Sequence, residues 1–200
     1  MNEKFFDLAK EKQDRIMNAA ISTFARRGYR YASTDEMKTK AGISKGLLFH
    51  YFGDKASLYR YVCEYSSKYM MLEMRQFLGD QTLPYFDMLL VREEAFGDIV
   101  KNYPSMPVFL DSIREEDDPE ALEISDGSVS EYRRFMDDLK NRSLETLEMG
   151  SEEKAIMDRM LDYTLQRLRR ESYIRGEQDR DSLKEAAVNC IRYVKKTVIG

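Results

Sequence analysis

Tryptophan is absent from this 200-residue chain, histidine occurs once, cysteine twice and proline four times. Each scarcity excludes a class. Cys63 and Cys190 lie far apart with no CxxC or Cys/His spacing, so a zinc-stapled domain and a disulfide-rich secreted fold are both excluded. A single histidine, His50, with no Ser or Cys nucleophile at a recognisable spacing leaves no catalytic triad to assemble. No apolar run approaches the ~20 residues a membrane span needs. The charged opening "MNEKFFDLAKEKQD" does not read as a signal peptide. The expected setting is cytoplasmic, with no metal, no cofactor and no membrane partner. Proline scarcity and the lack of sustained two-residue alternation argue against strands.

What remains is a chain patterned for helices. The periodicity predicts helices over residues 10–27, 34–41, 45–52, 54–78, 85–102, 108–114, 128–148, 152–172 and 182–198, an all-α fold. The acidic run "REEDDPE" reads as a solvated loop between two of them. Net charge is −4, but unevenly placed. The first 60 residues hold 12 Lys and Arg against 7 Asp and Glu, and the remainder holds 20 against 29. A basic head on an acidic body is the footprint of a polyanion partner, because phosphate neutralisation needs only local positive charge.

The stretch "AGISKGLLFHYFGDKASLY" at residues 41–59 gives that head a shape. Ser33 followed by Glu36 has capping-box spacing, which starts a short helix at Thr34 with Met37 and Ala41 on its inner face. Gly42 can end it in a left-handed conformation, Ile43 turns inward, and Ser44 is placed to cap a second short helix. On that second helix Leu48 and Phe52 share an inner face. Lys45, Leu47, His50 and Tyr51 point away from it beside the bare Gly46, and Phe49 leans towards the outside. This is the arrangement of a helix-turn-helix, whose second helix meets phosphates through its first turn and bases through the rest. Lys45 and Lys55 each begin a helix, where a cation is unfavourable against the dipole unless an anion is near, so both are expected to meet phosphate. The DNA-facing set is therefore Ser33, Thr34, Ser44, Lys45, Gly46, Leu47, Phe49, His50, Tyr51 and Lys55.

Together with "AAISTFARRGYRYASTDEM" before it, the stretch resembles the amino-terminal DNA-binding domain of TetR-family transcriptional regulators. The recurrent pattern there is a first helix ending in F-x-x-x-G-[YF], a capped second helix, A-G-[VI]-S, and then K-G-x-L-[YF]-x-[YH]-F before K-x-x-L. Phe24, Gly28, Tyr29, Ser33, Ala41, Gly42, Ile43, Ser44, Lys45, Gly46, Leu48, Tyr51, Phe52, Lys55 and Leu58 fit it. Lys38 departs from the Ala usual in the second helix, and Leu47 and Phe49 stand where Thr and Tyr are frequent, which favours apolar contact such as a thymine methyl. The resemblance implies a helix-turn-helix domain over residues 1–55 and a helical ligand-binding and dimerisation domain over 56–200. It also implies a homodimer and repression of an operator, relieved by a small-molecule effector. The two-fold symmetry of a dimer implies a palindromic double-stranded site.

For the body, the residues themselves offer two candidate surfaces. The region between residues 61 and 160 is crowded with Tyr, Phe and Met, of which Tyr65, Tyr69, Phe86, Phe109, Tyr132, Phe135 and Met136 are the candidate lining of an effector cavity. The last two helices carry an apolar stripe, Met157, Leu161, Thr164 and Leu168 with Leu183, Ala187, Cys190, Ile191 and Val194, which either packs into the body's own core or forms an isologous four-helix dimer interface, and the family resemblance favours the dimer. Two other readings stay open: a DNA-binding regulator of this fold without a small-molecule effector, and an all-α enzyme.

Overall fold

The computed structural model describes residues 3–79, 81–176 and 180–199, and of Arg180, Ser182 and Leu183 the backbone alone. Among the described residues there are nine α-helices and no strand: α1 Lys10–Tyr31, α2 Thr34–Ala41, α3 Lys45–Phe52, α4 Lys55–Leu78, α5 Tyr85–Val100, α6 Met106–Arg114, α7 Pro119–Leu144, α8 Ser151–Arg175 and α9 Arg180–Ile199. A 3-10 turn, Glu3–Phe5, precedes them. None of these helices is long and apolar enough to cross a membrane.

Helix α1 buries Ile16, Met17, Ala20, Ile21, Phe24 and Ala25, a stripe at three- and four-residue spacing that packs on α2 and α6. Each Ile, Met and Phe among them contributes ~1.5–3 kcal/mol by leaving water. The regular part of α1 ends where the F-x-x-x-G pattern places its glycine: Gly28 adopts φ 65°, ψ 177°, a conformation strained for any residue with a Cβ.

Two helix boundaries differ instructively from the sequence reading. Helix α7 starts at Pro119, nine residues before the expected position, so the acidic run is not a plain solvated loop. Asp118 Oδ1 accepts the backbone N–H groups of Glu120 and Ala121 at 3.0 and 3.1 Å, and Pro119 fills the first helical position, where no donor is needed. Helix α4 begins at Lys55 because Asp54 caps it, accepting from Ser57 N at 2.7 Å.

The chain forms two compact units. One comprises Met1–Tyr69 with Asn102–Glu131, the other Met70–Lys101 with Tyr132–Gly200. In the first, α6 packs on α1, and the start of α7 reaches Tyr29 of α1 through Glu120. The second has its core between α5, α8 and α9, where Tyr85, Phe86, Met88 and Leu89 meet Met157, Leu161, Leu165, Ala187 and Ile191. Ala187, with no exposed surface, lets α9 approach α5 closely. Beside this core lies a buried charge network that the sequence pattern does not announce. Arg169 donates to both Glu93 oxygens at 2.9 and 3.1 Å and lies 4.6 Å from the Phe96 ring centre, while Arg92 reaches Glu93 and Asp162 at 3.3 and 3.2 Å. Two cations balance two carboxylates, which is what makes burial tolerable.

Candidate nucleic-acid interface

The turn between α2 and α3 is built as the residue order requires. Ser33 Oγ accepts from Glu36 N at 3.4 Å, and Met37 and Ala41 are buried. Gly42 takes φ 66°, ψ 37°, and the Ile43 N–H returns to the Lys38 carbonyl at 3.1 Å, closing α2 in a left-handed cap. Ser44 Oγ then accepts from Leu47 N at 3.1 Å and starts α3. Both serine oxygens accept inward, which leaves each hydroxyl proton to donate outward.

Helix α3 has two unlike faces. Leu48 and Phe52 are buried, Ile43, Leu47 and Phe49 are half-buried, and Lys45, Gly46 and His50 are exposed. A Cβ added at Gly46 would meet no atom within 4 Å, so internal packing does not demand a glycine there. The bare backbone suits close approach from outside. Thr34 is half-buried at the start of α2, and Ser33 is exposed before it.

Two expected DNA-facing residues are placed otherwise. Tyr51 belongs to the packed face: it is 5% exposed, with its ring edge-on to Phe5 at 5.8 Å. Tyr51 follows Leu48 by three residues and so shares its face, and the amino-terminal turn covers it. Lys55 turns back on α1, where Nζ donates to the carbonyls of Tyr29 and Arg30 at 3.0 and 3.2 Å and lies 4.5 Å from the Tyr29 ring centre. The anion expected at its helix start is replaced by carbonyl oxygens at the end of another helix. Lys45 stays exposed but already has a carboxylate, Asp35 Oδ2 at 2.9 Å. Hydrogen bonds from Lys45 and then Lys38 hold the Asp35 carboxyl below its ordinary range. The Lys38 stem is accommodated by that same acid, with Nζ at 3.3 Å.

Sequence reasoning missed Tyr29 as a junction. Its hydroxyl donates to Glu120 Oε1 at 2.8 Å and its N–H reaches Glu116 Oε2 at 3.5 Å, while its carbonyl accepts from Lys55. Burial, reinforced by the Glu120 carboxylate, pushes its phenol well above the ordinary tyrosine range. The signal was the acidic run, read for composition rather than for position. Arg26, Arg27 and Arg30, exposed at the end of α1, add positive charge close in sequence to Ser33.

The candidate effector lining is divided between the two units. Tyr65 and Tyr69 come together around Tyr103, both ring centres at 5.5 Å, and the Tyr65 and Tyr103 hydroxyls share a 2.6 Å hydrogen bond. Phe109 packs between Phe24 and Tyr59 in the core of the first unit, and Phe86 in the core of the second. Those two fill protein interior. Tyr132 is buried, and Phe135 and Met136 are half-buried on α7, with Arg75 lying 5.0 Å from the Phe135 ring centre.

The described side chains of the expected dimer stripe lie in the core and along a groove of the second unit. Met157, Leu161, Ala187 and Ile191 are buried within the second unit, Leu168 packs at its edge, and Leu183 falls outside the described side chains. Met157 and Leu161 also line, with Thr164, Cys190 and Val194, an apolar groove of about 360 Å³ between α8 and α9, which Ile156, Met160 and Val198 complete. Ile156 and Met160 are 54% and 65% exposed.

Residues 16–62, which carry the capped turn and both of its helices, match the family model described as bacterial regulatory proteins, tetR family. The amino-terminal domain is a TetR-family domain. The HTH-type transcriptional activator FasR of Mycolicibacterium smegmatis is 32% identical over 92 residues, 46% of this chain, so the chain spans only 42% of that relative's length. Among solved structures, FadR of Bacillus halodurans aligns with 89% of this chain and 96% of its own at a TM-score of 0.59 and 17% identity. FadR of Bacillus subtilis, solved with stearoyl-CoA, aligns with 88% and 96% at 0.57 and 12%. At such identities the agreement establishes a TetR-like fold. The family and its curated relatives are transcriptional regulators rather than enzymes.

Proposed function

We propose that the chain is a dimeric DNA-binding transcriptional regulator, a repressor of a palindromic operator that a small-molecule effector releases. The observation that carries the reading is α3 itself. Its inner face is anchored by Leu48 and Phe52, and its outer face offers Lys45, Gly46, Leu47 and His50 with Phe49 at the margin. Ser33, Thr34 and Ser44, with the exposed arginines at the end of α1, supply phosphate contacts that fix the register. Leu47 suits a thymine methyl and His50 a base acceptor.

Dimerisation is supported by the apolar groove between α8 and α9, whose self-complementary partner is a second copy. Effector release is supported by the Tyr, Phe and Met content of the body and by a TetR-like structure solved with stearoyl-CoA. Selection of random duplex by the purified protein, followed by challenge with a metabolite panel, tests the whole reading. The expected product is an inverted repeat with half-sites about one helical turn apart, lost from the protein on addition of one compound class. Selected fragments without a shared motif would refute sequence-specific binding.

A further inference from the structure

Phe5 lies outside the helix-turn-helix, yet it is 1% exposed and its ring touches both inward aromatics of α3: Phe52 at 5.0 Å and Tyr51 at 5.8 Å between centres. Tyr61 of α4 closes the cluster at 5.9 Å. The segment bearing Phe5 is fastened from behind. Gln13 Nε2, on α1, donates to the Phe6 and Leu8 carbonyls at 3.1 and 2.7 Å, and the Phe6 N–H closes the turn onto Glu3 O at 2.9 Å. A helix of eight residues does not hold itself, because isolated helices below ~12 residues are marginal in water. Its direction follows from what its buried face rests on. For α3 that face is Leu48, Tyr51 and Phe52, and two of the three rest on Phe5.

We infer that residues 3–8 form a strut that sets the angle of α3, with Phe5 as a positioning residue for DNA reading and Gln13 as its fastening. The inference rests on the DNA-binding function proposed above. Phe5 reaches no base and no phosphate; it acts through Tyr51 and Phe52. The strut therefore governs discrimination between sequences rather than general attraction to DNA.

The test compares full-length wild type with Phe5→Ala, Phe5→Leu and Gln13→Ala in affinity for the selected operator and for a scrambled duplex, alongside amide hydrogen exchange without DNA. Phe5→Ala lowers operator affinity roughly tenfold, the share of a large-to-small cavity cost that falls on α3. Phe5→Leu restores part of it and Gln13→Ala gives a smaller loss. Binding to scrambled duplex and its salt dependence stay as in wild type, since no phosphate contact is removed. Exchange quickens at α3 and not at α8. Equal losses on both duplexes, or unaltered operator affinity, would overturn the strut. If Phe5→Ala does not fold, the same ratios in Phe5→Leu and Gln13→Ala decide. A wild type without preference for any duplex refutes the DNA reading instead, and the exchange of α3 amides then still tests the strut: quickened exchange supports it and unchanged exchange overturns it.

Discussion

Lys45 and Lys55 stand at the first position of successive helices, yet their ammonium groups meet different partners. Lys45 faces the carboxylate of Asp35 at the surface, whereas Lys55 caps the Tyr29 and Arg30 carbonyls. An exposed ion pair of this kind contributes little and is readily exchanged for a phosphate. Carbonyl groups at a helix end offer no such exchange. Lys45→Ala is accordingly expected to weaken binding to all duplexes and to reduce the salt slope by about one unit, with the melting transition unmoved. Lys55→Ala is expected to leave the slope alone and to cost about 1 kcal/mol in urea unfolding, the usual worth of such hydrogen bonds. Sequence alone places both lysines correctly at helix starts but cannot see the carbonyl oxygens brought to Lys55 from residues 29 and 30. Tyr51 is the same kind of case. Its place on α3 was legible, and its burial was not, because Phe5 arrives from outside the motif.

At the scale of elements, the features most legible in the sequence are those specified within a few residues of themselves. The Ser33 and Ser44 caps and the left-handed Gly42 stand where the spacing put them, since each is a local hydrogen-bond arrangement. The start of α7 was equally local but misread. Asp118, Pro119 and Glu120 are an N-cap, a first-position proline and a first-turn acid, all start signals by position, yet their composition resembles a loop. Asp118→Ala should leave two backbone amides of α7 uncapped and lower stability by about 1 kcal/mol, read as a lower urea midpoint at constant m-value. Ser44→Ala should cost a similar amount, ~1 kcal/mol, and also weaken operator binding, because the same residue begins α3. Equal effects of the two substitutions on DNA binding would contradict this division of roles.

For the whole molecule, periodicity shows that α8 and α9 carry apolar stripes but not which side of each stripe is spent internally. Ala187 and Ile191 turn towards α5, and Met160 and Ile156 stay in solvent. The structure thereby separates two substitutions that the sequence would treat alike. Ile191→Glu buries an unpaired charge and is expected to unfold the second unit. Met160→Glu is expected to keep a native circular-dichroism spectrum and melting point while converting dimer to monomer in light scattering. A Met160→Glu protein that scatters as a dimer would move the interface elsewhere. If the outer face of α3 reads base sequence, as proposed, Leu47 is the residue on which that reading is separable from phosphate attraction, to which its short apolar side chain adds nothing. The decisive measurement is the ratio of affinities for the selected operator and for duplexes changed at one base pair at a time, in wild type and in Leu47→Ala. Discrimination is expected to fall at one symmetric pair of positions, by the ~1–3 kcal/mol typical of a lost base contact, while scrambled duplex binds as before. Discrimination unchanged at every position would show that α3 does not read the operator.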